Sequence, residues 1–347
     1  MSWNPFKTRQ GSTDGASSTF QRTVIEDRAR SQFDALHALL QEEEGCAPLG
    51  TVGRYELRTV LGEGGLGTVY GAWDPLLSRR VAVKMLKSQA LPQTAEAGMP
   101  SPEELTLHEA RAAARLSHPH IVTVFDAGSS PQGIYIAMEP LHGLDLRQML
   151  RQGWRPSPQE AASLVRRVAE ALAYAHGKGV IHCDVKPANI FMVDRRMPKV
   201  LDFGIARLAR GDGSAVLAAS VGSPHYLAPE QLTQGLIDRR CDVYALGVVL
   251  FELLTGRVPY TGHSMDEISQ AVLKAPQPVA CQWAPQAPEG LSAIAARAMA
   301  RHRDARFASA RHLANALREW KHAGEAEPPP PAANQRSLLA WLRGDRG

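Results

Sequence analysis

At 347 residues, with 44% hydrophobic and 21% charged side chains, the chain carries enough apolar material for about two domains or lobes with their own cores. A net charge of +4, with the arginines scattered along the chain, argues against nucleic acid as a primary partner, because no basic stripe with interleaved aromatics appears. Cys46, Cys183, Cys241 and Cys281 have no metal-ligand spacing and read as free thiols in a reducing cytoplasm. The longest apolar run, residues 245–254, is too short for a membrane span and contains Glu252. No signal peptide opens the chain, so a cytoplasmic location without a membrane span is expected.

Residues 1 to about 20 are rich in Ser, Thr, Gly and Gln and are expected to be disordered. Residues 24–44 turn helical, with Ile25, Phe33, Leu36 and Leu40 roughly on one side before Gly45 stops the run. Alternation at 55–58 and β-rich runs at 68–70 and 81–83 predict strands. Capping boxes then announce three helices: Ser101 with Glu104, Ser157 with Glu160, and Ser264 with Glu267. The first two also place Pro at the first helical position, where its missing N–H costs nothing. After Ser157, the spacing of Ala161, Leu164, Val165, Val168 and Leu172 gives that helix one core-facing side. From about residue 142 onward helices dominate. A strand-rich first part and a helical second part predict an α+β chain of two lobes, 51–139 and 140–323, with a cleft between them. Residues 1–50 form an N-terminal extension. The 324–347 tail opens on a stiff spacer of four prolines, Pro328 to Pro331, and ends in an apolar patch around Trp341.

Three motifs carry chemistry. Gly62, Gly64 and Gly67 form a GxGxxG loop, whose backbone can approach phosphates without a Cβ in the way. Alone it fits a Rossmann turn, a hairpin or a nucleotide loop. The next residues, Thr68 to Trp73, read as strand, which excludes the Rossmann fingerprint, and there is no Gly-Lys-Ser/Thr to make a Walker loop. Lys84 ends the next strand, a position that is usually a solvated surface charge. The third motif is His182-Cys183-Asp184-Val185-Lys186-Pro187-Ala188-Asn189, with Asp202-Phe203-Gly204 beyond it. Two carboxylates, a lysine and a carboxamide around an apolar run suit the movement of a phosphoryl group.

In this order and spacing, residues 54–322 resemble the eukaryotic-type Ser/Thr protein kinases, the bacterial Hanks-type branch included. The resemblance implies a two-lobed kinase fold, with a β-rich N-lobe and a mainly helical C-lobe, working on ATP with Mg2+, or Mn2+ in its place. Asp184 would orient the acceptor hydroxyl and take its proton, and Lys186 would neutralise charge on the γ-phosphoryl. Asn189 and Asp202 would ligate the metal. Lys84 would grip the α- and β-phosphates and pair with Glu109 on the helix begun at Ser101. Backbone groups of Glu139 and Leu141 would hydrogen-bond adenine, with Met138 guarding the back pocket. Leu61, Val69, Ala82 and Phe191 would form the apolar shell of the ring. His182 is expected to pack on Phe203, Glu230 to pair with Arg306, and Asp242 to brace the catalytic loop. Lys186 points to Ser/Thr acceptors, so protein substrates and the chain itself are the expected targets, in signalling. The N-terminal helix and the Pro-rich tail are candidate docking elements for a partner.

The chain departs from the family where Arg usually precedes the catalytic Asp: here it is Cys183. That arginine clamps a phosphorylated residue of the activation segment, and a thiol cannot. Phosphorylation of Ser214 or Ser220 is therefore not expected to be the main switch. Replacing both with Ala should leave activity in place, and its loss from a folded protein would sink the idea. The same cysteine is the only support for a rival reading, a scaffold that keeps the fold without turnover. A small-molecule kinase is opposed by the full segment running to Ala228-Pro229-Glu230, which shapes a peptide-binding surface in the family.

Overall fold

The computed structural model describes residues 47–64, 67–86, 101–203, 224–233 and 235–325. The expected 24–44 helix, the proline spacer, the Trp341 patch, Gly204, Ser214, Ser220 and Ser223 lie outside these residues.

Six strands make the first layer: β1 (Gly50–Val52), β2 (Tyr55–Gly64), β3 (Gly67–Asp74), β4 (Arg79–Leu86), β5 (Val124–Ser130) and β6 (Gly133–Met138). They form one antiparallel sheet in the order β1-β2-β3-β4-β6-β5. The helix α1 (Pro102–Ala113) is inserted between β4 and β5. Period-two alternation divides β4 between the two faces of the sheet. Val81 and Val83 join Val52, Tyr55, Ala72 and Ala137 in one small core. Leu86 packs with Ala110, Ile134 and Ile136 beneath α1. Ala82 and Lys84, four and two residues before Leu86, therefore share the face that looks toward the rest of the molecule.

The second part contains β7 (Gly143–Asp145), α2 (Leu146–Arg151), α3 (Pro158–Gly177), β8 (Ile190–Val193), β9 (Met197–Val200), α4 (Pro229–Leu232) and α5 (Arg240–Thr255). It continues with α6 (Met265–Lys274), α7 (Ala280–Trp283), α8 (Glu289–Ala298) and α9 (Ala310–Glu325). Helices do dominate, but β7-β8-β9 form a small antiparallel sheet of their own. The apolar residues of α3 named from their spacing are all buried. They belong to a single large core with α5, α8 and α9. Helix α5 is buried on every side from Cys241 to Phe251 and stops where Gly256 turns left-handed at φ 76°.

Two of the three expected capping boxes close fully, at Ser101 and Ser157. The third is half-formed. Ser264 Oγ accepts the Glu267 N–H at 3.1 Å, but the Glu267 carboxylate reaches past Ser264 to the His263 N–H, 2.7 Å away. A complete box that the Ser-x-x-Glu pattern does not capture caps α2, where Asp145 and Gln148 exchange the same pair of bonds. No described helix is long and apolar enough to cross a membrane.

Candidate active site

Strands β8 and β9 set the catalytic loop against the Asp202 turn. A 3-10 turn over Pro187–Asn189 leads straight into β8, and the Leu201 N–H donates to Asn189 O at 2.9 Å. Val200 is bridged in parallel to Ile121. The Val122 N–H donates to Val200 O at 3.0 Å, and the Val200 N–H to His120 O at 2.9 Å. The strand that delivers Asp202 is thus sewn to the connection entering β5.

Side chains hold the loop itself, because its backbone has left regular structure and still needs partners. Asp242, in the first turn of α5, is 1% exposed. It accepts the His182 N–H at 2.9 Å, the Cys183 N–H at 2.8 Å and His176 Nε2 at 2.8 Å. Burial alone would raise its pKa, but the His176 bond and the charges and N–H groups around it hold the carboxyl below its ordinary value. His182 packs on Phe203 with ring centroids 4.7 Å apart. Its Nδ1 accepts the Asp184 N–H at 3.2 Å, so Nε2 carries the proton it shares with Leu201 O at 2.7 Å. These contacts match the structural parts expected for His182 and Asp242.

Asp184 lies in a nearly buried cluster. Its Oδ2 takes the Lys186 ammonium at 2.7 Å and the Asn189 amide N–H at 2.9 Å. Asn189 also donates to Asp184 O at 2.8 Å. Among the described residues, no side chain or backbone N–H is hydrogen-bonded to Oδ1. The Asn189 amide nitrogen is therefore spent on Asp184, which turns its Oδ1 outward as an acceptor.

Lys84 Nζ lies 2.7 Å from Asp202 Oδ2, so the lysine is ion-paired with Asp202, while Glu109 is half-buried on α1. A nearly buried ammonium closes on the carboxylate brought nearest, and the left-handed Asp202 (φ 58°) brings its own to Lys84. Burial would raise the Asp202 pKa, but the Lys84 charge and bond outweigh it, and the carboxyl is held below its usual value.

The glycines divide by what they touch. A Cβ on Gly67 would overlap Met85 O across the β3–β4 pair, so packing alone demands glycine there. Among the described residues, a Cβ on Gly62 meets no atom within 4 Å, and one on Gly64 only Gly67 O at 3.9 Å. The packing of the described residues does not require these two. Ala82 is buried, Val69 and Phe191 are half-buried, and Leu61 is 58% exposed. Met138, at the end of β6, lines an apolar cavity with Ala110, Ala113, Val122, Ile136, Asp202 and Phe203. Leu141 comes next at the start of the second lobe, half-buried.

Glu139 has a side-chain part that the sequence alone does not reveal. Its backbone N–H donates to Thr123 O at 2.9 Å. Its Oε1 accepts the Thr123 N–H and Lys199 Nζ, each at 2.7 Å. Lys199 lies in β9, so one carboxylate ties the link between the lobes to the strand that delivers Asp202. Glu230 and Arg306 form the expected pair, with two parallel bonds of 2.7 and 2.8 Å.

A sheet lobe with a glycine hairpin and a buried lysine, set over a helical lobe carrying Asp184, Asn189 and Asp202, defines a protein kinase. The protein kinase domain family model matches residues 55–316, and the chain belongs to that family, in its bacterial eukaryotic-type Ser/Thr branch. It is 41% identical over 271 residues to a probable serine/threonine-protein kinase of Corynebacterium efficiens, covering 75% of this chain and 40% of that protein. It is 36% identical over 264 residues to serine/threonine-protein kinase PrkC of Bacillus subtilis, covering 75% and 39%. With serine/threonine-protein kinase PknB of Mycolicibacterium smegmatis the identity is 38% over 304 residues, covering 84% and 47%. The chain thus spans less than half the length of these relatives.

Proposed function

We propose that this chain is a protein-serine/threonine kinase, moving the γ-phosphoryl group of ATP to Ser or Thr hydroxyls of protein substrates and of itself, in cytosolic signalling. The observation that carries the reading is the division of labour at Asp184: Oδ2 is held by Lys186 and Asn189, and Oδ1 is left for an acceptor hydroxyl. A carboxylate fixed in this way can orient the hydroxyl and take its proton as the bond to phosphorus forms. Lys186, already at the same carboxylate, is placed to neutralise charge on the transferred group. Most of the catalytic effect would come from positioning and fixed charge.

The residues fit Mg2+ and ATP. Gly62 and Gly64 keep a hairpin free of Cβ atoms where the packing of the described residues does not ask for it, as a backbone that approaches phosphates would. Asn189 and Asp202 offer the hard oxygens that Mg2+ or Mn2+ takes, with phosphate and water completing its shell. Bound there, the metal neutralises phosphate charge. Lys84 would exchange its bond to Asp202 for the α- and β-phosphates, and Glu109 would then receive it. Glu139 and Leu141 would present backbone groups to adenine, between Leu61, Val69 and Ala82 above and Phe191 below. The catalytic unit would be residues 51–139 and 140–323, and the flanks 1–50 and 324–347 would recruit a partner.

The test is transfer of labelled γ-phosphate from Mg-ATP to the protein and to a generic basic protein, beside Asp184→Asn. Transfer to Ser or Thr that disappears in the variant is expected. A folded wild-type chain that binds ATP and transfers nothing would point to a scaffold.

A further inference from the structure

The residue before Asp184 is held by both of its backbone groups. Cys183 adopts a left-handed φ of 63°, which is disfavoured for a residue with a Cβ, so this peptide depends on outside support. Its N–H is bound by Asp242 at 2.8 Å. Its carbonyl accepts the side-chain amide of Gln231, Nε2 to O, at 2.9 Å. The other end of the same amide, Oε1, accepts the Ala228 N–H at 2.9 Å. A flipped amide would set oxygen against oxygen and N–H against N–H, so the surroundings fix its orientation. Gln231 is 7% exposed in α4, and the residue beside it, Glu230, is anchored to Arg306 by two bonds.

An unbroken path therefore runs from Ala228, at the end of the activation segment, through the Gln231 amide to the Cys183 carbonyl and so to Asp184. The Cys183 thiol faces the core, 4.0 Å from Cys241 Sγ. We infer that Gln231 is a positioning residue that couples the seating of the segment's end to the placement of Asp184, through a neutral amide that needs no phosphate. The inference rests on the proposed kinase activity for its link to turnover, but not for its link to loop geometry.

Two variants of the full chain test it. Gln231→Glu still accepts from Ala228 but cannot donate to Cys183 O when ionised, and repels it. Gln231→Met removes both bonds without adding charge. In each, kcat is expected to fall about ten-fold, the worth of one buried hydrogen bond left unmade, with KM for ATP unchanged. The deficit of Gln231→Glu should shrink as pH is lowered, because the protonated carboxyl regains an O–H donor. The deficit of Gln231→Met should not change with pH. Amide exchange of the peptide covering 182–189 gives a reading independent of turnover and should quicken in both. Wild-type kcat in both variants with unchanged exchange would overturn the inference. So would equal, pH-independent deficits that track only a fall in Tm. If Gln231→Glu does not fold, Gln231→Met decides by the same measurements. A wild-type chain without transfer defeats the kinase reading, and exchange still judges the role of Gln231.

Discussion

Asp242→Asn is the sharpest test of how the catalytic loop is held. The carboxylate serves three N–H donors, His176 and the His182 N–H at Oδ2 and the Cys183 N–H at Oδ1, and takes a weaker bond from the Cys241 thiol at Oδ1, 3.7 Å away. An asparagine has one oxygen. Its better orientation keeps the two donors at Oδ2 and turns the NH2 group against the Cys183 N–H. That leaves a buried donor unmet, which costs about 1–3 kcal/mol, and removes charge assistance from the other two bonds, about 1 kcal/mol each. The expected loss is about 3–5 kcal/mol, in line with removing one partner of a buried charge network. Urea unfolding at neutral pH reads this as a shift of midpoint at constant slope. Because the unmet donor belongs to the residue before Asp184, turnover of the folded fraction should fall as well. A loss under about 1 kcal/mol with full turnover would refute the reasoning, since the bonds to Asp242 would then be incidental.

Glu252 provides a pH test. Burial raises its pKa above the ordinary value, only partly offset by the bond from Tyr226, 2.6 Å long. A carboxyl with a raised folded pKa binds its proton more tightly folded than unfolded. Stability from this group is therefore greatest in acid and declines as pH rises through the interval between its unfolded and folded values. Glu252→Gln should gain on wild type in thermal midpoint between pH 4 and 7, and a gap equal at both would refute it. Lys199→Met removes the ammonium from Glu139 and leaves the Thr123 bond. A half-buried pair of this kind is worth about 1 kcal/mol, so KM for ATP should rise about five-fold with kcat near wild type. A lower Tm with unchanged KM would make the pair merely structural.

The features legible in the sequence were local or tied to a motif. Ser101-Pro102 and Ser157-Pro158 announced their helices because a capping box closes within four residues. The order Asp184, Lys186, Asn189, Asp202 pointed to its cluster because a hairpin-like span brings it together. The long-range partners were legible only where a resemblance supplied them, as for Glu230 with Arg306. Gln231 with Cys183, Cys241 with Cys183, and Lys199 with Glu139 join residues 48, 58 and 60 positions apart. No periodicity encodes such pairs, and only the packing of α4, α5 and β9 creates them. The resemblance implies Glu109 as a partner of Lys84, and nothing in the sequence shows the Lys84–Asp202 pair, which joins residues far apart in the chain. At Ser264, the Ser-x-x-Glu pattern could not say which N–H the glutamate would take.

The uneven division of apolar material has a consequence for how the molecule comes apart. One large core runs through α3, α5, α8 and α9, whereas the sheet lobe rests on two small clusters, one on each face. Free energies of opening scale with such local density. The helical lobe is therefore the last cooperative unit to melt, and the sheet lobe the first to be cut by a protease under mild heat. A chain losing stability would lose its glycine hairpin and Lys84 while Asp184 was still in place, leaving a folded helical remnant without the sheet lobe's part of the site.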